Sequence, residues 1–302
     1  MFKKILIPLD GSDLSARAVP VAYALAGPDT QLALLRSVEP VRAGTAENIY
    51  RAELLWPDEA QQPDQAAASY LKMVRASVPA DLRVDSYVTE GDAAGAIVDT
   101  ARDIQADLIV MSSHGYSGLT RWMLGSVAER VLRAAPCSVL MVRGTPRFKH
   151  VLVTLDGSLL AEQALAPALC VAAAFHSQIT LLRAVSSISA EAMHRLDEKE
   201  MGLGEQLVQG QLADAEAYLC RLAAANGAAR RAYKVAVPSD HAADAIAYYA
   251  GAHDVDLIVM ATHGHTGLQR WMLGSVTEKV TRANGWSMLV TRPQPIDHQT
   301  GA

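Results

Sequence analysis

The sequence contains two kinds of polar loop that could do chemistry, and each kind occurs twice. One is an Asp-Gly-Ser triplet that follows an apolar run, at Asp10 and again at Asp156. The other holds a glycine, nine further residues and a Gly-Ser pair that opens a helical pattern, over residues 115–126 and 264–275. Glycines let the backbone approach a phosphate, and the amides of a helix N-terminus attract anions. We therefore predict a phosphate site in each half, with an aspartate that could accept hydrogen bonds from a ribose or a base.

A second interpretation of each loop needs no ligand. Ser126 and Ser275 are followed three residues later by Glu129 and Glu278, which is the pattern of a capping box. A serine that caps its own helix would use the amides that a phosphate needs. The Asp-Gly-Ser triplets have a similar alternative, a turn followed by a serine N-cap. Capping does not explain the upstream glycine or the presence of the same loop in both halves, so we favour phosphate binding.

The loops belong to a sequence that has been duplicated. The 24 residues from Asp107 recur from Asp256 with 17 positions identical, and ILIPLDGS from Ile5 recurs as VLVTLDGS from Val151. Residues 144–147, Gly-Thr-Pro-Arg, predict a tight linker between the halves. We therefore expect two domains, residues 1–144 and 149–302, that pack together as an internal pseudo-dimer.

Short apolar runs alternate with helical patterns in each half. The runs ILIPL and DLIVM are apolar throughout, as is typical of parallel strands buried on both faces. Each half is thus expected to be an α/β domain with a doubly wound, five-stranded parallel sheet in the order 3-2-1-4-5. Single helices are predicted over Ser12–Ala26 and, in the second half, over Ala190–Ala225. Ligands of such sheets bind where the strand order reverses, which here is the carboxyl edge of strands one and four.

Composition and charge limit the class of protein. Of the 302 residues half are apolar and one-fifth charged, which is typical of a soluble globular protein with two domains. The net charge of −5 and the lack of a Lys/Arg run argue against a nucleic-acid partner. The apolar stretches are too short for a membrane span or a signal peptide. The three cysteines form no CxxC pair, so we expect buried, reduced thiols in a cytoplasmic protein.

The sequence offers little for efficient catalysis. It contains no recognisable Ser/His/Asp set, no paired carboxylates and no Walker lysine, so we expect at most slow turnover at the phosphate site. His263 and His265 could suggest a metal site, but Tyr116 replaces His265 in the first half and no further ligand has helpful spacing. We therefore predict no metal site. His114 and His263 precede a loop glycine, and a structural role in the loop is favoured over general base catalysis.

These loops and the repeat resemble those of the universal stress protein family, in its tandem two-domain form, over essentially the whole chain. The nucleotide-binding loop of that family is Gly, two residues, Gly, nine residues, Gly, then Ser or Thr. The second and third glycines and the serine match in both halves. The first glycine is replaced, by Ser112 in one half and Ala261 in the other.

The resemblance implies a Rossmann-like, cytoplasmic stress-response protein that binds an adenine nucleotide, ATP alone or with Mg²⁺, at the strand 1/strand 4 switch point of each domain. In the first domain it implies binding residues Pro8, Asp10, Ser37, Met111, Ser112, His114, Gly115, Gly125, Ser126 and Val127. In the second it implies Asp156, Ala184, Met260, Ala261, His263, Gly264, Gly274, Ser275 and Val276.

The resemblance also leaves alternatives open. The chain could instead be a nucleotide-free interaction module related to stress, or a slow ATPase. The last strand of each domain is expected to pair with its equivalent in another domain, which the tandem chain supplies internally, and a homodimer of chains is compatible with this. Strand three ends at Gly91 in the first half but at Asp240 in the second. We therefore expect the two sites to differ in affinity and favour the first.

Overall fold

The computed structural model describes residues 2–38, 63–112, 124–144, 146–228, 232–239, 241–262, 274–283 and 285–292. The chain divides into two compact units, the first extending to Pro146 and the second beginning at Arg147. The domain limits predicted from the sequence, 1–144 and 149–302, stay predictions. In these residues no helix combines the length and the apolarity that crossing a membrane requires.

The first unit is a parallel sheet with helices between its strands. The strands are β1 (Lys4–Pro8), β2 (Gln31–Val38), β3 (Arg83–Glu90), β4 (Leu108–Ser112) and β5 (Ser138–Val142). The helices are α1 (Asp13–Ala16), α2 (Ala18–Ala24), α3 (Pro63–Ala76), α4 (Ala93–Asp103) and α5 (Ser126–Ala134). The strands lie in the order β3-β2-β1-β4-β5, and each neighbouring pair is parallel. The predicted order 3-2-1-4-5 is therefore confirmed.

The second unit repeats this arrangement. Its strands are β6 (His150–Leu155), β7 (Gln178–Val185), β8 (Ala232–Pro238), β9 (Leu257–Ala261) and β10 (Ser287–Thr291). Its helices are α6 (Leu159–Glu162), α7 (Leu165–Phe175), α8 (Ala190–Asp197), α9 (Leu203–Ala225), α10 (Ala242–Ala252) and α11 (Ser275–Arg282). The parallel order β8-β7-β6-β9-β10 is again 3-2-1-4-5 within the unit.

The central strands form the core of each unit. Apart from Ala261 at the end of β9, the apolar side chains of β1, β4, β6 and β9 are almost completely buried, as the continuously apolar runs predicted. Burial of one such Leu, Ile or Val side chain contributes roughly 1.5–3 kcal/mol. Since these strands are fixed by the core, the loops at their carboxyl ends start from well-defined positions.

The first helix of each unit is broken, which corrects the prediction of one helix over Ser12–Ala26. The break lies at Arg17 in the first unit and near Gln163 in the second. Pro20 and Pro167 follow these breaks, and a proline cannot donate a hydrogen bond to the carbonyl four residues earlier. For Pro20 that carbonyl belongs to Ala16, the last residue of α1, and for Pro167 it belongs to Gln163, directly after α6.

The prediction of one helix over Ala190–Ala225 is also wrong. The segment forms two helices, α8 and α9, separated at residues 198–202. Gly202, immediately before α9, has φ +82°, a left-handed conformation that an α-helix cannot contain and that glycine adopts readily. Gly202 therefore interrupts the single helix that the sequence pattern predicted.

One of the three cysteines corrects the expectation of buried thiols. Cys137 is buried and Cys170 is half-buried, whereas Cys220 is exposed on α9. Cys220 lies beside the buried Leu219, so the helical face changes from core to solvent within one residue.

Candidate functional site

The Asp-Gly-Ser triplet of the first unit forms a tight turn after β1. Oδ1 of Asp10 accepts hydrogen bonds from the backbone N–H of Ser12, at 2.9 Å, and from its hydroxyl, at 2.6 Å. The Ser12 hydroxyl oxygen in turn accepts from the N–H of Ser15, at 3.0 Å, and so caps α1. Gly11 has φ +86°, which requires glycine. The turn and N-cap interpretation is thus correct, and it fixes the Asp10 carboxylate at the carboxyl edge of the sheet.

The second unit builds the same turn after β6. Oδ1 of Asp156 accepts from the N–H of Ser158 at 2.8 Å, and the Ser158 hydroxyl accepts from the N–H of Ala161 at 3.1 Å. Gly157 has φ +91°. Asp156 is exposed, so its carboxylate is held by the turn yet accessible to a ligand.

The helices α5 and α11 begin one residue earlier than a capping box would require. Their N-caps are Gly125 and Gly274, and the serines that follow are the first helical residues and make no cap. The glutamates are therefore at the fourth helical position, one residue too far along for a capping box. The capping-box interpretation is wrong because the extended conformation belongs to the glycine, whose φ is −63° in α5 and −57° in α11.

A glycine N-cap leaves the start of a helix open to an acceptor from outside. The first backbone bonds inside these helices are Glu129 N–H to Gly125 C=O, at 2.9 Å, and Glu278 N–H to Gly274 C=O, at 2.8 Å. The amides of the preceding three residues have no partner within the helix itself. Each glutamate pairs with the arginine four residues later, Glu129 with Arg133 at 3.1 Å and Glu278 with Arg282 at 3.0 Å. In each pair the arginine lies further along the helix than the glutamate, and its positive charge offsets the negative charge of the carboxylate near the helix start.

The remaining predicted residues of the first unit lie at the ends of its central strands. Pro8 is the last residue of β1 and is buried, and Met111 and Ser112 end β4. Ser37, near the end of β2, donates its hydroxyl hydrogen bond to the carbonyl of Gly91 at 2.9 Å. That bond ties the end of β2 to the residue after β3, so these strand ends form one continuous edge.

The second unit has a cleft at this edge, between the ends of β6, β7 and β9 and the starts of α10 and α11. All seven predicted binding residues of this unit that the structure describes line it: Asp156, Ala184, Met260, Ala261, Gly274, Ser275 and Val276. Seven further residues in the described part of the chain line it: Thr154, Leu155, Ala161, Leu182, Ala242, Ile246 and Thr277. As far as its described residues show, the cleft combines the Asp156 carboxylate and an open helix N-terminus with predominantly apolar walls.

Some of the predicted positions lie outside the described residues. These are the upstream loop positions and the polar residue proposed to end the third strand of the second half: His114, Gly115, His263, Gly264 and Asp240. Whether they complete the two sites stays a prediction.

The family of the chain follows from comparison with known proteins. The family model described as "Universal stress protein family" matches it twice, over residues 1–143 and 147–292. The chain belongs to the universal stress protein family. The two matches also identify it as a tandem form, with one family domain in each half.

Individual relatives agree with this assignment. A universal stress protein of Thermus aquaticus is 36% identical over 144 residues, which cover 47% of this chain and 100% of the relative. A universal stress protein of Mycobacterium bovis is 26% identical over 242 residues, 76% of either chain. The crystal structure of a putative universal stress protein from Pseudomonas aeruginosa has a TM-score of 0.65 at 17% identity, covering 97% of this chain and 94% of that chain. This structural likeness shows that the fold is shared.

Sequence reasoning missed part of the cleft in the second universal stress protein domain. Ala242 and Ile246 of α10 form a wall, although nothing in the loop motifs indicated that this helix contributes. They are four residues apart and therefore lie on one face of the helix. The sequence did carry one indication of this wall, because a helical pattern starts directly after the end of the third strand, at the edge where the cleft lies.

The corresponding helix in the first domain is held by an ion pair that the second domain lacks among its described residues. Asp92 caps α4, accepting from the Gly95 N–H at 2.8 Å, and it receives two bonds from Arg130 of α5, at 2.5 and 2.8 Å. The equivalent positions are His241, which makes no side-chain cap, and Lys279. The hydrogen bonds from Arg130 and then from Gly95 lower the pKa of Asp92 below its ordinary value.

We expect the Asp92–Arg130 pair to stabilise the first domain fully above about pH 4, the ordinary range of an aspartate, and progressively less below it. A carboxylate whose pKa is lower in the folded state stabilises the fold above its unfolded pKa, and loses that effect as the pH falls through the folded pKa. The D92N variant should therefore melt at a lower temperature than the wild type at pH 7, and the difference should shrink below pH 4. Calorimetry over this pH range measures it. A difference that persists at low pH, or that is not reduced in the R130M background, contradicts the assignment.

Proposed function

We propose that this universal stress protein binds an adenine nucleotide, with ATP as the first candidate, in the carboxyl-edge cleft of each domain and acts as a stress-response regulator. The observation that supports this is the glycine N-cap of α5 and α11, together with the fixed aspartate of the turn after the first strand of each domain. The first feature suits a phosphate and the second a nucleoside, so together they suit a nucleotide.

The phosphates would occupy the open N-termini of α5 and α11. An anion there accepts hydrogen bonds from first-turn amides and interacts favourably with the helix dipole. Ser126 and Ser275 are exposed at the first helical position and can add a hydroxyl donor. Because the cap is glycine, it offers no side-chain oxygen that would compete with the phosphate.

The nucleoside would occupy the apolar part of the cleft. In the second domain Ala184, Met260 and Ile246 supply surfaces of the kind that line pockets for flat organic ligands. Asp156 has a carboxylate oriented by its own turn, and it can accept hydrogen bonds from ribose hydroxyls or from the adenine amino group. The division into an apolar and an anion-binding part fits a nucleotide better than a free phosphate.

Native mass spectrometry of gently purified full-length protein tests the proposal. We expect an adenine nucleotide to be retained, with up to two copies per chain, and calorimetric titration with ATP to give saturable binding that GTP reproduces only weakly. Release of phosphate in the presence of Mg²⁺, measured on the same sample, distinguishes a slow ATPase from a pure binding protein. Absence of retained nucleotide, combined with absence of binding to ATP, ADP and AMP, would favour the nucleotide-free interaction module.

A further inference from the structure

An arginine is stacked on a tyrosine at the equivalent place in each domain, and in the second domain it lies against the aspartate turn. Arg36 of β2 lies over the ring of Tyr70 of α3, with 5.0 Å from its Cζ to the ring centroid. Arg183 of β7 lies over the ring of Tyr218 of α9 at 4.9 Å. Each arginine is the sixth residue of its strand. The same pair has thus been kept at the same place in both copies of the fold.

In the second domain the arginine packs directly against the turn. A Cβ atom at Gly157 would lie 2.8 Å from Nη2 of Arg183 and 3.0 Å from its Cζ. With the guanidinium in this position, only glycine fits there, and any side chain would require Arg183 to shift. Gly157 is the middle residue of the Asp156-Gly157-Ser158 turn, so the guanidinium contacts the backbone that carries the cleft aspartate.

The surroundings of the tyrosines connect the stack to the same turn. Burial is the largest cause that raises the pKa of Tyr218, and the charges of Glu162 and Asp156 raise it further. Burial likewise raises the pKa of Tyr70, with a contribution from the charge of Asp10. The charge of each turn aspartate is thus among the causes that raise the pKa of the stacked tyrosine. Each hydroxyl is buried, that of Tyr70 near Ser15 and that of Tyr218 near Glu162.

We propose that Arg36 and Arg183 are positioning residues that, held by Tyr70 and Tyr218, fix the Asp-Gly-Ser turns so that Asp10 and Asp156 face a bound nucleotide. The inference rests on the proposed function and adds to it a support that lies outside the cleft lining. A planar guanidinium can lie flat on an aromatic ring and against a backbone. A lysine would keep the positive charge but lacks the planar guanidinium group that stacks on the ring.

The test changes both copies together, so that both sites respond. We expect the R36M/R183M variant to bind ATP about tenfold more weakly than the wild type in calorimetric titration, with R36K/R183K in between. Replacing Tyr70 and Tyr218 by leucine should weaken binding more than replacing them by phenylalanine, because phenylalanine keeps the ring. R102M/R195M is the matched control, because it makes the same chemical change at two exposed arginines on α4 and α8.

A double-mutant cycle separates positioning from general damage to the fold. In the D10A/D156A background the arginine changes should cost no further ATP affinity, because the group they position is gone. In nucleotide-free protein, hydrogen exchange at the Ser12 and Ser158 amides should accelerate in R36M/R183M and not in the control. Unchanged exchange, or an equal loss of affinity with and without the aspartates, overturns the inference. If the wild type binds no ATP, the proposed function fails, while the exchange result still decides whether the arginines hold the turns.

Discussion

The G125D/G274D variant is expected to lose ATP binding while its nucleotide-free form becomes more stable. An aspartate at the N-cap accepts hydrogen bonds from the same first-turn amides that would hold a phosphate, and its charge interacts favourably with the helix dipole. Relative to glycine this should add roughly 0.5–1 kcal/mol per helix to the free energy of unfolding. The carboxylate should lower the affinity for ATP about 100-fold or more, because it occupies the site and repels the phosphates. Thermal unfolding and calorimetric titration measure the two effects.

Two comparisons make this result specific. G125N/G274N introduces a cap of the same shape without the charge, so it should weaken ATP binding less than the aspartates do. G210D is the control for added charge, since Gly210 is exposed on α9 and a Cβ there would meet nothing within 4 Å. It should leave ATP binding unchanged. Undiminished ATP binding by G125D/G274D would show that the starts of α5 and α11 are not the phosphate sites.

The aspartates are expected to raise stability and lower ATP affinity because both an N-cap and a phosphate would use the same amides. The sequence alone did not decide between these two uses. A Ser-x-x-Glu pattern fits both a capping box and an open helix start, and the two differ by a single residue in where the helix begins. Only backbone conformation distinguishes them, and in both domains the extended residue is the glycine. Local patterns rarely define a helix end to one residue, whereas buried strands are defined by long apolar runs.

Features that depend on neighbouring residues could be predicted from the sequence, whereas contacts between distant residues were not. The strand order and the turns at Asp10 and Asp156 follow from short patterns, and the prolines and Gly202 carry a visible signal for the broken helices. The arginine–tyrosine pairs were missed because each joins a strand to a helix that is more than 30 residues away in sequence. Comparison of the two halves could have found them, since each pair recurs at equivalent positions.

We expect the two proposed sites to differ in affinity, because the helices beside them are held differently. The Asp92–Arg130 pair joins α4 to α5 in the first domain, whereas His241 and Lys279 occupy these positions in the second. Joining the two helices restricts their separation, and a more rigid site loses less entropy when a ligand binds. This is a physical reason, independent of the loop glycines, for the prediction that the first site has the higher affinity.

The largest effect on stability is expected from Gly157→Ala. Its φ of +91° costs an L-residue about 1–2 kcal/mol, and the added methyl must displace the Arg183 guanidinium from its contact. Loss of the stack on Tyr218 adds about 1 kcal/mol. We therefore expect the free energy of unfolding of the second domain to fall by roughly 2–3 kcal/mol, measured by urea denaturation with a probe of that domain.

Gly227→Ala separates the two contributions. Gly227 has φ +67°, but a Cβ there meets nothing within 4 Å, so only the backbone cost of about 1–2 kcal/mol should appear. The excess of Gly157→Ala over Gly227→Ala measures the displaced guanidinium, and it should vanish when Arg183 is already alanine. Equal effects of the two substitutions in the wild-type background would mean that Arg183 moves aside at no cost in free energy of unfolding. The turn would then be held by its own hydrogen bonds, since a guanidinium that moves away freely cannot fix Asp156.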